Sequence, residues 1–236
     1  MKMANALKII STLLSYPSKE LKDAALELKA AVLNDSMTGE PEKALLNGLI
    51  DDIASRDVYE AQERYVELFD RTRTLSLHLF EHVHGESRDR GQAMVDLKQM
   101  YEEQGFELAV SDLPDFLPMF IEFASIQIEN EREELLGQTV HILSALRQRL
   151  EKKKSIYANA FQALEAIIST QADPAVVAEI LSVPDDDPND LEALDAVWEE
   201  EAITFGGGQG EEDCGPDRLG RQLRAAKRPA PQPTIQ

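Results

Sequence analysis

Three of the chain's four histidines, His78, His82 and His84, sit together in one stretch, YVELFDRTRTLSLHLFEHVHGESRDRGQAMVDL, from Tyr65 to Leu97. Within it His78-Leu79-Phe80-Glu81-His82 spells the H-x-x-E-H pattern of inverted zinc peptidases. On a helix, histidines at i and i+4 share a face, so both could bind Zn²⁺ with Glu81 as general base. Glu86 or His84 would supply a third ligand. This gives one reading, a zinc-dependent hydrolase. Against it, the pattern is five residues long, belongs to a mixed α/β setting, and no second motif holds an open coordination position.

A second reading takes the same stretch as a binding surface built from a helix, a corner stopped at Gly85 and a second helix. Phe80 would face the core, while Glu81, His82, Glu86, Arg88, Asp89 and Arg90 crowd the corner. The blander alternative has those charges pairing with one another in solvent, each pair worth little. Composition alone favours the bland alternative, because most charge runs are solvated faces. His141, between Val140 and Ile142, reads as a satisfied, partly buried histidine. The run Gly206-Gly207-Gly208-Gln209-Gly210 lacks a preceding strand and a following Lys-Ser/Thr, so it is no phosphate cradle. Nothing else resembles a pterin or nucleotide site, and no cofactor of the chain's own is expected.

The elements that must position these groups read as helices. Met3, Leu7, Ile10 and Leu14 step at helical spacing until Tyr16-Pro17. Leu21, Ala25, Leu28 and Val32 repeat the pattern behind Ser18, a suitable N-cap. Leu46, Leu49, Ile50 and Ile53 follow Pro41, placed for a first turn. Asp57 to Glu60 reads as a capping box before Ala61, Tyr65, Leu68 and Phe69. Met94, Leu97 and Tyr101 come next, then a densely apolar stretch from Phe116 to Ile128. Leu136, Leu143, Leu146 and Leu150 form one more stripe, and Tyr157, Phe161, Leu164 and Ile168 another. Asp173-Pro174 and Asp187-Pro188 each look like an N-cap followed by Pro at N1. Only Phe106, Leu108 and Val110 alternate at period two, too briefly for a sheet. The expected fold is all-α, a single bundle of about ten helices.

Composition narrows the function classes. In 236 residues there are 24 Lys+Arg against 44 Asp+Glu, a formal net charge of −20, which argues against wrapping duplex nucleic acid or binding an anionic membrane. Cys214 is the single cysteine, so no internal disulfide demands an oxidising compartment. The N-terminus lacks a small-x-small cleavage site, and no window approaches about 18 uninterrupted apolar residues. A soluble, cytoplasmic protein is expected. Twelve acids and no Lys or Arg fall between Asp185 and Asp213, so more than half of the net charge sits late in the chain. Leu191, Leu194 and Trp198 give that segment an apolar edge suited to docking on the bundle. The helical domain is expected over residues 1–205 and a disordered, acidic-then-basic tail over 206–236, ending with Arg218, Arg221, Arg224, Lys227 and Arg228.

LFDRTRTLSLHLFEHVHGESRDRGQAMVDL closely resembles the signature of the nitrate reductase molybdenum cofactor assembly chaperones, the NarJ-type or delta-subunit proteins. These belong to the all-helical redox-enzyme maturation chaperones of TorD/NarJ-like fold. Leu113-Pro114-Asp115-Phe116-Leu117-Pro118 and the stretch from Ala193 to Glu201 agree as well, so the resemblance covers roughly residues 4 to 203. It implies a chaperone and no enzyme. Its partner would be the N-terminal region of the apo nitrate reductase catalytic (alpha) subunit. It would permit molybdenum cofactor insertion and delay attachment to the membrane subunit, without joining the mature enzyme or entering the membrane. The implied binding surface comprises Tyr65, Leu68, Phe69, Asp70, Arg71, Phe80, Glu81, His82, His84, Gly85, Glu86, Arg88, Asp89 and Arg90, with Asp115 and Pro118 contributing from the next helix start. Tyr65, Phe69 and Phe80 would bind or line an apolar groove, and Asp70, Glu81, Glu86 and Asp89 would select basic residues of the peptide. Two positions depart from the family pattern: Phe116 stands where the family usually carries His, and His78 where it usually carries Leu.

Overall fold

A computed structural model describes residues 5–83, 88–108 and 112–184. Among these the chain forms ten α-helices and two short 3₁₀ turns, with no strand beyond one isolated antiparallel bridge between His78 and Phe116. The all-α expectation holds. The acidic segment, the second Asp-Pro start and the tail lie outside the described residues.

Helix α1 (Asn5–Leu14) buries Leu7, Ile10 and Leu14 as the stripe predicted, and also Ala6, Ile9 and Leu13. A helix apolar on nearly all sides belongs in the middle of a bundle. It packs on α7 (Leu117–Ile126), whose Phe120, Ile121, Phe123 and Ala124 are buried. The first turn of α1 is capped from a distance: the Ala6 amide donates to Asp35 Oδ1 at 3.1 Å, while Asp35 Oδ2 accepts from the Met37 and Thr38 amides. One buried carboxylate thus serves orphan amides that the helix cannot satisfy itself.

The stripe from Leu21 to Val32 was expected as one helix and forms two, α2 (Lys19–Asp23) and α3 (Ala25–Asn34), because the backbone at Ala24 leaves helical geometry at φ −79°, ψ 1°. Ser18 caps α2 as predicted, accepting from the Leu21 amide at 3.1 Å. Helix α4 (Glu40–Ser55) starts with Pro41 in its first turn and packs against α9 (Ala158–Ile167). Gly48 faces that contact, where a Cβ would meet Asn159 Nδ2 at 3.4 Å, and Asn159 donates to the Leu45 carbonyl. Helix α5 (Val58–Phe69) is capped by Asp57, which accepts from the Tyr59 amide.

Helix α6 (Arg88–Glu103) ends in a Schellman motif. Gly105, at φ 73°, lets the Phe106 amide reach the Tyr101 carbonyl (2.9 Å) and the Gly105 amide reach Glu102 (3.0 Å). The turn lays Phe106 against Tyr101 and Phe123, with ring centroids 5.5 and 5.6 Å apart. Helix α8 (Glu129–Lys152) runs past α7 and α9 and buries Leu136, Leu143, Leu146 and Leu150. It ends in the same motif, with Lys154 in the left-handed position at φ 54° and the Ser155 amide bonded to Leu150. Helix α10 (Pro174–Leu181), capped by Asp173, closes over α8. His141 is partly buried and accepts the Asp173 amide at 3.0 Å, the satisfied role expected of it.

Candidate functional site

The stretch after α5 was expected to continue as helix to a glycine corner. It does not. Between Asp70 and Val83 the chain makes two 3₁₀ turns, Arg73–Leu75 and Leu79–Glu81, joined by extended residues. The reason lies in its burial on both sides: Thr72, Thr74, Leu75, Ser76, Leu77 and Leu79 are all buried, so the segment presses into the bundle instead of coiling on its surface. A buried non-helical backbone needs partners for its polar groups from elsewhere.

Two buried side chains supply them. Arg149, 4% exposed, donates to the Thr74 carbonyl at 2.7 Å and, through its other terminal nitrogen, to Ile180 and Val183 at 2.9 and 3.1 Å. Asp115, fully buried, accepts from the Phe80 amide at 3.1 Å and pairs with His78 Nδ1 at 3.1 Å, while its carbonyl takes the Leu79 amide at 3.0 Å. The Leu117 amide donates to Leu77 at 2.8 Å, and the Tyr101 hydroxyl donates to the Pro114 carbonyl at 2.8 Å. The start of α7 and the signature segment are therefore stitched into one unit.

The two histidines of the zinc pattern are both engaged, and not on one helical face. His78 precedes the second 3₁₀ turn, and its hydrogen bond to Asp115 raises its pKa above the ordinary 6.5, against the opposing pull of burial. His82 caps that turn and bonds the Ser76 carbonyl through Nε2 at 2.8 Å, which requires a hydrogen on that nitrogen. Burial lowers its pKa despite that bond. The i, i+4 geometry that a shared zinc ion needs is replaced by two separate hydrogen-bonding duties.

The residues of the expected binding surface divide by burial. Tyr65 and Phe69 are core residues, 7% and 6% exposed, and pack edge-on against each other and against Tyr157. The Tyr65 hydroxyl donates to the Leu14 carbonyl at 2.8 Å. These rings support a surface and do not line an open groove. Leu68 and Phe80 are half-buried against the core, and Asp70 and Arg71 are exposed. Glu81 pairs with Arg90 at 3.2 Å, both about a quarter exposed, and Asp89 is half-buried beside them in the first turn of α6. Arg88 opens α6, Pro118 is buried in the first turn of α7, and His84, Gly85 and Glu86 lie outside the described residues.

Among the described residues, two surface grooves border this unit. A small one of about 190 Å³ on the outer face of α5 is lined by Tyr16, Gln62, Glu63, Val66, Glu67 and Arg71. A larger one of about 440 Å³ runs between α1, α7 and the connection after α6. The sequence reading missed Arg149, although its place three residues after Leu146, on the side of the buried stripe, was a visible signal. It also missed the larger groove, which depends on the Schellman turn at Gly105 and has no local signature.

Comparison with known proteins agrees with this architecture. The family model described as nitrate reductase delta subunit matches residues 19–163, which span both the signature segment and the start of α7. NarJ of Escherichia coli K12, named as a nitrate reductase molybdenum cofactor assembly chaperone, is 41% identical over 229 residues, covering 96% of this chain and 94% of NarJ. NarW of the same organism, assigned the same role, is 36% identical over 200 residues, covering 84% and 83%. A crystal structure of an Archaeoglobus fulgidus protein assigned to redox enzyme maturation matches with a TM-score of 0.51 at 21% identity, over 70% of this chain and 93% of that one. That last likeness concerns the fold.

Proposed function

The chain belongs to the nitrate reductase delta-subunit family, and we propose that it binds the N-terminal region of the apo catalytic (alpha) subunit in the cytoplasm, keeps that subunit open for molybdenum cofactor insertion, and delays its docking to the membrane subunit. It is a NarJ-type assembly chaperone and not a catalyst. The observation that carries the reading is the similarity to NarJ over nearly the whole chain. No helix among the described residues is long and apolar enough to cross a membrane, which accords with a protein that visits its client and leaves.

Physical chemistry supports the finer reading. The signature segment is held by Arg149 and Asp115 before any partner arrives, so little ordering entropy is lost when it is bound. Its exposed and half-exposed charges, Asp70, Arg71, Glu81, Asp89 and Arg90, are presented on a fixed backbone. A net charge of −20 draws a basic segment toward the surface and raises the association rate more than the affinity. His84, Gly85, Glu86 and Arg88 stay in the proposed contact set from the family resemblance.

The test is calorimetric titration with a peptide copying the N-terminal region of the nitrate reductase catalytic subunit, against an unrelated basic amphipathic peptide. Selective binding at micromolar or better, about −8 kcal/mol, is expected. Equal or absent binding to both peptides would sink the client-peptide reading. If Asp70→Asn with Asp89→Asn leaves a selective affinity untouched, the charges of the signature segment are not the contact.

A further inference from the structure

Helix α10 has little of its own to hold it. Eight residues are too few for a stable helix in water, where even ~12–15 are marginal, so its shape depends on what it docks against. It packs on α8 with Val177 as its one buried side chain, 5% exposed. Ile180 and Leu181 are half-buried, Ala175, Val176, Ala178 and Glu179 are exposed, and so is the polar approach from Ser169 to Gln171. Both ends are tied to α8 by hydrogen bonds. At the start the Asp173 amide donates to His141 Nδ1, and at the finish Arg149 Nη2 donates to the Ile180 and Val183 carbonyls. His141 and Arg149 stand about 12 Å apart along α8, the length of α10 itself.

The same guanidinium reaches the signature segment. Its Nη1 donates to the Thr74 carbonyl inside the first 3₁₀ turn (Arg73–Leu75), which also packs on α8. That turn's own backbone bonds are few: the Leu75 amide to Thr72 at 3.3 Å and the Ser76 amide to Arg73 at 3.1 Å. The second turn has a different holder, Asp115, whose carbonyl and carboxylate take the Leu79 and Phe80 amides. Two short elements far apart in sequence thus share one side chain. We propose that α10 is a strap, opening and closing as a unit while the bundle stays folded. Its seating, passed through Arg149, sets how firmly the first turn of the signature segment is held. Lifting α10 takes two acceptors from Nη2 and admits water to a guanidinium now 4% exposed. A solvated, freely rotating side chain anchors Thr74 less well than a fixed planar fork. The coupling runs both ways, because linked equilibria act on each other with the same free energy, so a firmly held first turn keeps the strap seated. Elements held by few buried contacts open first, without unfolding the core. Whatever seats or lifts α10 tightens or loosens the signature segment, with or without a client.

Amide hydrogen exchange followed by NMR on the full chain tests the strap, under conditions where the rate reports the opening equilibrium. Val177→Ala removes its buried anchor, and Val176→Ala, one residue away at an exposed position, is the control. In Val177→Ala the hydrogen-bonded amides of α10 and that of Ser182 should exchange about tenfold faster. Leu75 and Ser76 should follow by about fivefold or more, while Leu79, Phe80 and the hydrogen-bonded amides of α1 and α7 keep their rates. Val176→Ala should accelerate none of them. In an Arg149→Lys background, Val177→Ala should still free the strap and leave Leu75 and Ser76 at the rates of Arg149→Lys alone. A freed strap with unchanged Leu75 and Ser76 would overturn the coupling, and so would a response at those amides that survives Arg149→Lys. Acceleration of every amide alike, or no acceleration in α10 itself, would overturn the strap.

Discussion

His78 and Phe116 face each other across the one isolated bridge among the described residues, with ring centroids 5.4 Å apart. Two positions distant in the sequence are therefore neighbours in space. The imidazole stands on the signature side of the bridge and bonds the Asp115 carboxylate, 37 residues away in sequence, while an aromatic ring fills the other side.

A double-mutant cycle tests this contact. His78→Leu and Phe116→His should each destabilise the chain by about 1 kcal/mol, the first by removing one partner of the buried Asp115 carboxylate and the second by placing a polar ring against His78. The double variant should recover most of that loss, with a coupling energy of ~0.5–3 kcal/mol typical of residues in contact. Urea denaturation of the four proteins measures it. Strict additivity would show that the two positions do not communicate.

His78 and His82 set opposing pH dependences. The pKa of His78 is raised in the fold by Asp115, with Glu81 reinforcing it and burial and Arg90 opposing. Its contribution is fully present below the unfolded value of about 6.5 and is lost as pH rises through the folded pKa. The pKa of His82 is lowered by burial and by Arg149, with Ser76, Glu81 and Asp115 opposing. Its neutral form adds stability above about 6.5 that is lost as pH falls toward the folded pKa. His78→Leu should therefore cost most on the acid side of that value, and His82→Gln most on the alkaline side. Denaturation curves at both pH values decide the matter; matching profiles for the two variants would refute the assignment.

Arg149 is expected to be the most sensitive single position outside the apolar core. Replacing it with methionine keeps volume and removes the donors to the buried Thr74 carbonyl and to the partly buried carbonyls of Ile180 and Val183, at a cost of about 3 kcal/mol. Arg149→Lys should recover only part of this, because one ammonium cannot reproduce the planar fork. Chemical denaturation gives the ranking wild type, lysine, methionine. A methionine variant as stable as wild type would show that these carbonyls find other partners.

Lys154 offers the opposite sign. It is exposed and holds a left-handed backbone at the end of α8, where glycine is the usual residue. Lys154→Gly should leave the Schellman bonds in place and stabilise the chain by about 0.5–1 kcal/mol, the cost of a Cβ in that region being larger than glycine's extra unfolded entropy. A lowered Tm would show that the lysine side chain does more than occupy the turn.

The helices were legible because their signals are local. Ser18, Asp57 and Asp173 cap the helices they were expected to cap, and the stripes through Leu7, Leu46, Leu136 and Phe161 are the buried faces. The signature segment was misjudged as helix because the groups that hold it are remote. Nothing near Thr74 or Phe80 announces Arg149 or Asp115, and without those partners a helix is the natural way to satisfy the backbone. Tyr65 and Phe69 illustrate a second limit. Helical spacing identified them as facing inward together with Ala61, but only the packing against Tyr157 shows that they lie beneath the surface and not in a groove.

The dependence on Arg149 also has a consequence in time. On a ribosome the chain emerges from its N-terminus, and the Thr74 carbonyl waits 75 residues for the guanidinium that receives it, then the same side chain waits more than 30 further residues for Ile180 and Val183. Contacts so distant in sequence form late, after local helices have appeared. The signature segment thus gains its shape only once α8 has been made and docked. A half-synthesised chain has most of its early helices and an unfinished signature segment.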